Sequence, residues 1–241
     1  MALAIDATGP VVRLDLNRPD QGNTATTELM REIATAIRAH GADPATRVVA
    51  LVARGEAFCS GREVGGAAPS TGKPSAYELR TKVIGPVLDV YAALAACPVP
   101  TVACVQGNAL GFGAAMAAAC DITLLSDKAR MGFPEIEHNI PPALAMAAGI
   151  RCVPPKALTW LVYSAETIDA AAAVAMGLAS RSFPDAGFAS EAELFLGRLA
   201  TRPRLVLETI KSYHMKARHM APEAASDYAG ALLALLSTAQ D

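Results

Sequence analysis

The chain has 241 residues, 52% of them hydrophobic and 18% charged, which supplies one large core and excludes an intrinsically disordered protein. A net charge of −2 without a basic cluster argues against nucleic acid as a partner. The cysteines (59, 97, 104, 120 and 152) show no CxxC and the histidines (40, 138, 214 and 219) no zinc spacing, so reduced thiols and no metal are expected.

Leu3–Asp6 and Val11–Leu16 alternate apolar and polar residues around Gly9-Pro10, the pattern of a hairpin. Asp6 and Arg13 interrupt these stretches, so no signal peptide is expected and the protein reads as cytoplasmic. Leu29, Ile33, Ala36 and Ile37 recur at helical spacing, with threonines at 24–26 available as caps. Val48–Ala53 is a continuous apolar run, the mark of a strand buried on both faces. A glycine-bearing loop, residues 55–66, follows it. Tyr77–Ala96 reads as helix that Gly85-Pro86 kinks or splits. Thr101–Val105 is a second buried strand, followed by a second glycine turn and a small-residue helix, Ala114–Ala119.

No Asp, Glu, Lys, Arg or His occurs from Val90 to Cys120, a length that fits a membrane span, but Pro98, Pro100, Gln106, Gly107, Asn108, Gly111 and Gly113 divide it. A buried helix–strand–turn–helix and no membrane are expected. Asp121–Leu125 and Ala129–Phe133 are further strands, the second leading into Glu135. After Pro141 the pattern is helical throughout. One helix starts at Pro154-Pro155, another covers Asp169–Met176 and stops at Gly177, and Ser190 with Glu193 reads as a capping box. Stretches 204–219 and 222–237 close the chain. Ala229–Leu236 is more apolar than a surface helix needs, which suggests contact with another subunit or burial within the monomer. Alternating strands and helices argue for an α/β core with parallel pairing.

Three features carry chemistry: Ala57-Phe58-Cys59-Ser60-Gly61-Arg62-Glu63, Gly107-Asn108-Ala109-Leu110-Gly111-Phe112-Gly113, and Glu135. Each segment follows a buried strand and turns on glycine, so two such turns side by side aim backbone amides at one developing oxyanion. Phe133-Pro134 and Ile136 give Glu135 an apolar setting that raises its pKa toward general-base range. His138 lies one turn away and reads as a solvated loop residue; Glu137 reads as a solvated charge. Tyr77, Arg80 and Lys82 follow a loop and are placed to face a pocket. A dinucleotide fingerprint fails because Met116 occupies the third glycine position. Gly72-Lys73-Pro74 lacks the serine or threonine of a phosphate loop, and no GxSxG surrounds Ser60.

On these residues the chain resembles the enoyl-CoA hydratase/isomerase family, the crotonase superfamily, from about residue 10 to 185. Asn17-Arg18-Pro19 with Asn23 resembles its opening strand end, and Ala57–Gly61 its first oxyanion segment. Gly107–Gly113 followed by Cys120-Asp121 resembles the second, and Phe133-Pro134-Glu135-Ile136 its glutamate-bearing stretch. The resemblance implies a crotonase-like α/β spiral of ββα units over residues 1–185 and a C-terminal helical trimerisation region over 186–241. It implies oxyanion donors at the amides of Arg62 and Phe112, acid/base catalysis by Glu135, and acyl-CoA contacts from Arg18, Ser60, Gly61, Glu63, Val64 and Gly111. It further implies an acyl pocket lined partly by residues 68–90, coenzyme A thioesters as substrate with no separate cofactor, and homotrimers or hexamers.

Family hydratases hold the reacting water with two glutamates, and the first, six residues before Asp121, is replaced here by Ala115. Canonical two-glutamate hydration is therefore doubtful, while double-bond isomerisation, lyase chemistry, decarboxylation and thioester hydrolysis stay open. So does a catalytically degenerate acyl-CoA-binding or scaffold protein. The related Clp-type fold places a nucleophilic serine where Ala115-Met116 stands, which argues against proteolysis. Family members continue past the position of Asp241 with a further helix, so an opener site, or one closed by a neighbouring subunit, is expected.

Overall fold

Side chains along the central strands leave alternately to the two faces of one sheet, and both faces are covered. A computed structural model describes residues 1–63 and 74–238. The chain opens with the hairpin β1 (Leu3–Asp6) and β2 (Val11–Leu16), then α1 (Thr27–Ala42) and β3 (Val48–Ala53). Thr26 caps α1, its hydroxyl accepting from the Leu29 amide at 3.1 Å. The helical stretch after the loop comprises α2 (Ala76–Glu78), a π-helical segment (Leu79–Ile84) and α3 (Gly85–Ala96). The chain passes Gly85-Pro86 by widening: Gly85 N–H reaches back to the Arg80 carbonyl, which accommodates a proline that has no amide to give.

There follow β4 (Thr101–Val105), β5 (Ala109–Leu110), α4 (Phe112–Ala119), β6 (Ile122–Ser126) and β7 (Arg130–Gly132). Then come α5 (Ala143–Gly149), α6 (Pro155–Ser164), β8 (Ile168–Asp169), α7 (Ala170–Ala175), β9 (Arg181–Phe183), α8 (Asp185–Ala200), α9 (Arg204–Ala217) and α10 (Pro222–Thr238). The main sheet has the order β1-β2-β3-β4-β6-β9, parallel except for the β1–β2 hairpin. Val49, Leu51, Ala103, Val105 and Leu125 face the larger core with α1 and α3. Their neighbours Val48, Ala50, Val102, Cys104 and Leu124 face Phe188, Ala192 and Leu196 of α8. This two-sided burial is why the strands read as unbroken apolar runs.

Two expectations are corrected. The region after Pro141 is not helical throughout, because β8 joins a small sheet and β9 pairs with β6. Strands of two or three residues are too short to show a period. Nor do Ser190 and Glu193 form a capping box: α8 begins at Asp185, whose amide donates to the Asp127 carboxylate at 2.9 Å, a cap from a distant segment. Ser190 lies inside the helix, and Glu193 pairs with Arg13 at 2.5 Å. Cys59, Cys97, Cys104 and Cys120 are buried and Cys152 is exposed, all as free thiols. Among the described residues no helix is long and apolar enough to cross a membrane.

Candidate active site

Backbone pairing brings the three sequence features together. The first turn is fixed to the second where the Phe58 and Cys59 amides donate to the Asn108 carbonyl at 3.0 and 3.1 Å and Leu110 N–H returns to Cys59 O at 2.9 Å. The second is fixed to the glutamate stretch by the small sheet β5-β7-β8, which Gly111 N–H extends with a 2.9 Å bond to the Gly132 carbonyl. Such close approach needs glycine. A Cβ on Gly113 would lie 2.2 Å from the Cys59 carbonyl oxygen. Asn23, fully buried at φ 53°, ties the first turn to the strand end: its amide donates to the Arg54 and Ala57 carbonyls, each at 2.8 Å, and its Oδ1 accepts from Arg18 N–H at 2.8 Å.

These bonds pass over two amides. In the bridge between Ala25 and Arg62, the Ala25 amide donates to the Gly61 carbonyl and the Glu63 amide to Ala25 O, which leaves out Arg62 N–H. Phe112 is the first residue of α4, so its amide has no partner within the helix. The backbone turns into α4 at Gly111, whose φ of 50° and ψ of −117° suit only glycine, and a Cβ there would stand 3.2 Å from Glu135 Oε1.

Glu135 sits on a short 3₁₀ turn, Pro134–His138, anchored by the buried Phe133. Its Oε2 is buried without a hydrogen-bond partner among the described residues. Burial raises its pKa, opposed by its own backbone amide and by the positive charge of Arg62.

A cavity of about 180 Å³ opens onto these groups, walled mainly by Val87, Tyr91, Pro134, Ile140, Pro141, Pro142, Leu144 and Ala145. Of the residues expected at the site, Ser60, Gly61, Arg62, Gly111, Phe112 and Glu135 all line it, and so does the exposed His138. Arg18 stands apart, its guanidinium donating to the Thr24 carbonyl at 2.6 Å, and Glu63 is exposed. Val64 lies outside the described residues, as do residues 68–73 of the stretch expected to line an acyl pocket. Tyr77, Arg80 and Lys82 are exposed and do not line the cavity. Ala115 is fully buried and contributes no polar atom. Among the described residues no group of three or more His, Cys, Asp or Glu is placed to hold a metal ion.

Sequence reasoning missed Tyr91. It extends from α3 into the cavity, and its ring stacks on Phe112 with centroids 6.3 Å apart and planes 20° from parallel. Its hydroxyl is buried without a partner among the described residues. A polar-tipped ring on a largely apolar helix was the available signal.

A parallel sheet opened by a hairpin, with two amide-presenting glycine turns beside one desolvated carboxylate, defines an α/β protein of the crotonase fold. An enoyl-CoA hydratase of Mycobacterium smegmatis superposes with a TM-score of 0.89 at 26% identity, over 98% of this chain and 90% of its own. Human enoyl-CoA hydratase domain-containing protein 3 shares the fold at a TM-score of 0.90 and 21% identity, over 97% of this chain and 91% of its own. The family profile described as enoyl-CoA hydratase/isomerase matches residues 6–238, and the chain belongs to that family. Its relatives include the 2,3-dehydroadipyl-CoA hydratase of Escherichia coli K12, 27% identical over 96% of this chain and 88% of that protein.

Proposed function

We propose that this protein binds an acyl-CoA and converts it through a thioester enolate, with Glu135 as the single carboxylate that carries protons. The observation that supports this reading is the convergence on one apolar-walled cavity of two amides without a partner among the described residues, Arg62 and Phe112, and a desolvated carboxylate. The thioester oxygen accepts from both amides, aided by the N-terminal end of α4. Glu135 removes the α-proton, the C–H electron pair moves into the thioester, and the oxyanion is held in the hole. Return of the proton to the γ-carbon of a 3-enoyl chain shifts the double bond. Addition of water to a 2-enoyl chain passes through the same enolate. Coenzyme A enters as part of the substrate, and no further cofactor takes part in these steps. The relatives named as hydratases support an enoyl-CoA substrate. We further propose assembly into homotrimers or hexamers through the C-terminal helices.

The test is α-proton exchange. A saturated acyl-CoA incubated in D₂O with the wild type is expected to lose its α-proton NMR signal, and Glu135→Gln to slow that loss by about 10²-fold or more. Exchange at the wild-type rate in Glu135→Gln removes the glutamate from the mechanism.

A further inference from the structure

We propose that the Tyr91 hydroxyl is the second polar group of the reaction, holding against Glu135 the water that adds to a 2-enoyl-CoA. This rests on the enolate reading above. Two polar atoms of residues lining the cavity described above, Tyr91 Oη and Glu135 Oε2, are both buried and both without a partner among the described residues. Buried polar atoms in folded proteins nearly always have a partner, so two unpartnered atoms at one cavity point to a small polar molecule that both hold. Tyr91 is also rigidly placed. Its ring stacks on Phe112, the residue whose amide forms one side of the oxyanion hole, so its hydroxyl is fixed relative to the thioester. Nothing at position 115 competes for this role, since alanine there has no polar atom.

The phenol keeps its proton. Burial raises its pKa first, and the charge of Glu135 raises it further, so at neutral pH Tyr91 holds and orients but does not titrate. As donor and acceptor in one group, it accepts the hydrogen of a water whose other hydrogen points at Glu135. The water oxygen then bonds to the β-carbon and the π-electron pair moves into the thioester as an enolate. The water's proton passes to Glu135, which gives it to the α-carbon as the enolate collapses. Tyr91 gains and loses no bond.

Tyr91→Phe keeps the ring and its stacking and removes only the oxygen. Hydration of a 2-enoyl-CoA is expected to lose about 10²-fold in kcat with KM little changed, as for a misplaced reactant. Exchange of α-protons in a saturated acyl-CoA, which needs no water at the β-carbon, is expected to fall far less than hydration does. The melting temperature is expected to stay near that of the wild type, because the ring and its stacking are kept. A merely structural tyrosine would instead lower melting temperature, hydration and exchange together, and that result overturns the proposal. It is equally overturned if Tyr91→Phe hydrates like the wild type, or if the wild type exchanges α-protons but adds no water. Failure of the underlying enolate reading has its own signature, exchange that is absent or indifferent to Glu135→Gln.

Discussion

Removing water from one side of a carboxylate raises the pH at which it ionises, and Glu135 is in that position, with one oxygen buried and without a partner among the described residues. Only the ionised form takes a proton from carbon. The rate of α-proton exchange is therefore expected to rise with pH through an apparent pKa above the ordinary carboxylate range, and a profile already flat at pH 5 contradicts this. Stability runs the other way. Because the folded-state pKa is the higher one, protonated Glu135 favours folding, and that contribution is lost as pH rises through it. Glu135→Gln should thus melt at or above the wild type at neutral pH and converge with it in acid, which thermal melts at the two pH values check. The residue most useful for catalysis is held at some cost to the fold.

Besides Arg204, which donates to the carbonyls of Gly41, Asp43 and Thr46, one buried lysine ties helix α9 to the rest of the fold. Lys211 is buried, and its ammonium lies 2.6 Å from Asp121 Oδ2, 2.9 Å from the Leu94 carbonyl and 3.2 Å from that of Val99. The same Asp121 oxygen accepts from the Thr101 amide at 2.7 Å and its hydroxyl at 2.8 Å, so β4, β6, α3 and α9 meet at one charge pair. Lys211→Met keeps the stem but leaves the aspartate without its cation, and is expected to cost roughly 3 kcal/mol. Urea denaturation measures it; an unchanged midpoint would show that the charge pair adds nothing to the other contacts of α9. Asp121 was legible in the sequence only as part of a motif, and its lysine partner, 90 positions on, not at all. The same division holds elsewhere. Strands β1 to β4 were legible because their apolar patterns are continuous or alternating over four to six residues. β5, β8 and β9 are shorter than any period, yet β5 and β8 flank β7 in the sheet that brings Gly111 to Glu135. The glycine turns were legible because a backbone constraint is written in residue type. Tyr91 was not, because in one dimension a tyrosine on an apolar helix is a core residue.

At the scale of the molecule, α10 is the element whose composition and surroundings disagree. It packs on α9 through Tyr228 stacked on Tyr213, with centroids 5.8 Å apart, and through the Tyr213 hydroxyl donating to the Ala225 carbonyl at 3.2 Å. No residue of Pro222–Thr238 is buried, and Leu233 and Leu235 are 65% and 66% exposed. Burying a leucine side chain stabilises by about 1.5–3 kcal/mol, so two exposed ones in an apolar run favour association with a surface of like character. The trimer or hexamer proposed above would supply that surface from a second copy of the chain. Sedimentation velocity of the wild type at micromolar concentration is expected to show an assembly, and Leu233→Glu with Leu235→Glu to shift it toward monomer while the far-UV spectrum stays helical. A wild-type monomer removes the proposal, and a variant that assembles like the wild type places the interface elsewhere. The dissociated variant also separates assembly from chemistry. The two amides, Glu135 and Tyr91 come from one chain, so a monomer that still exchanges α-protons has a self-sufficient site, whereas one that binds acyl-CoA without exchange needs its neighbour to close over it.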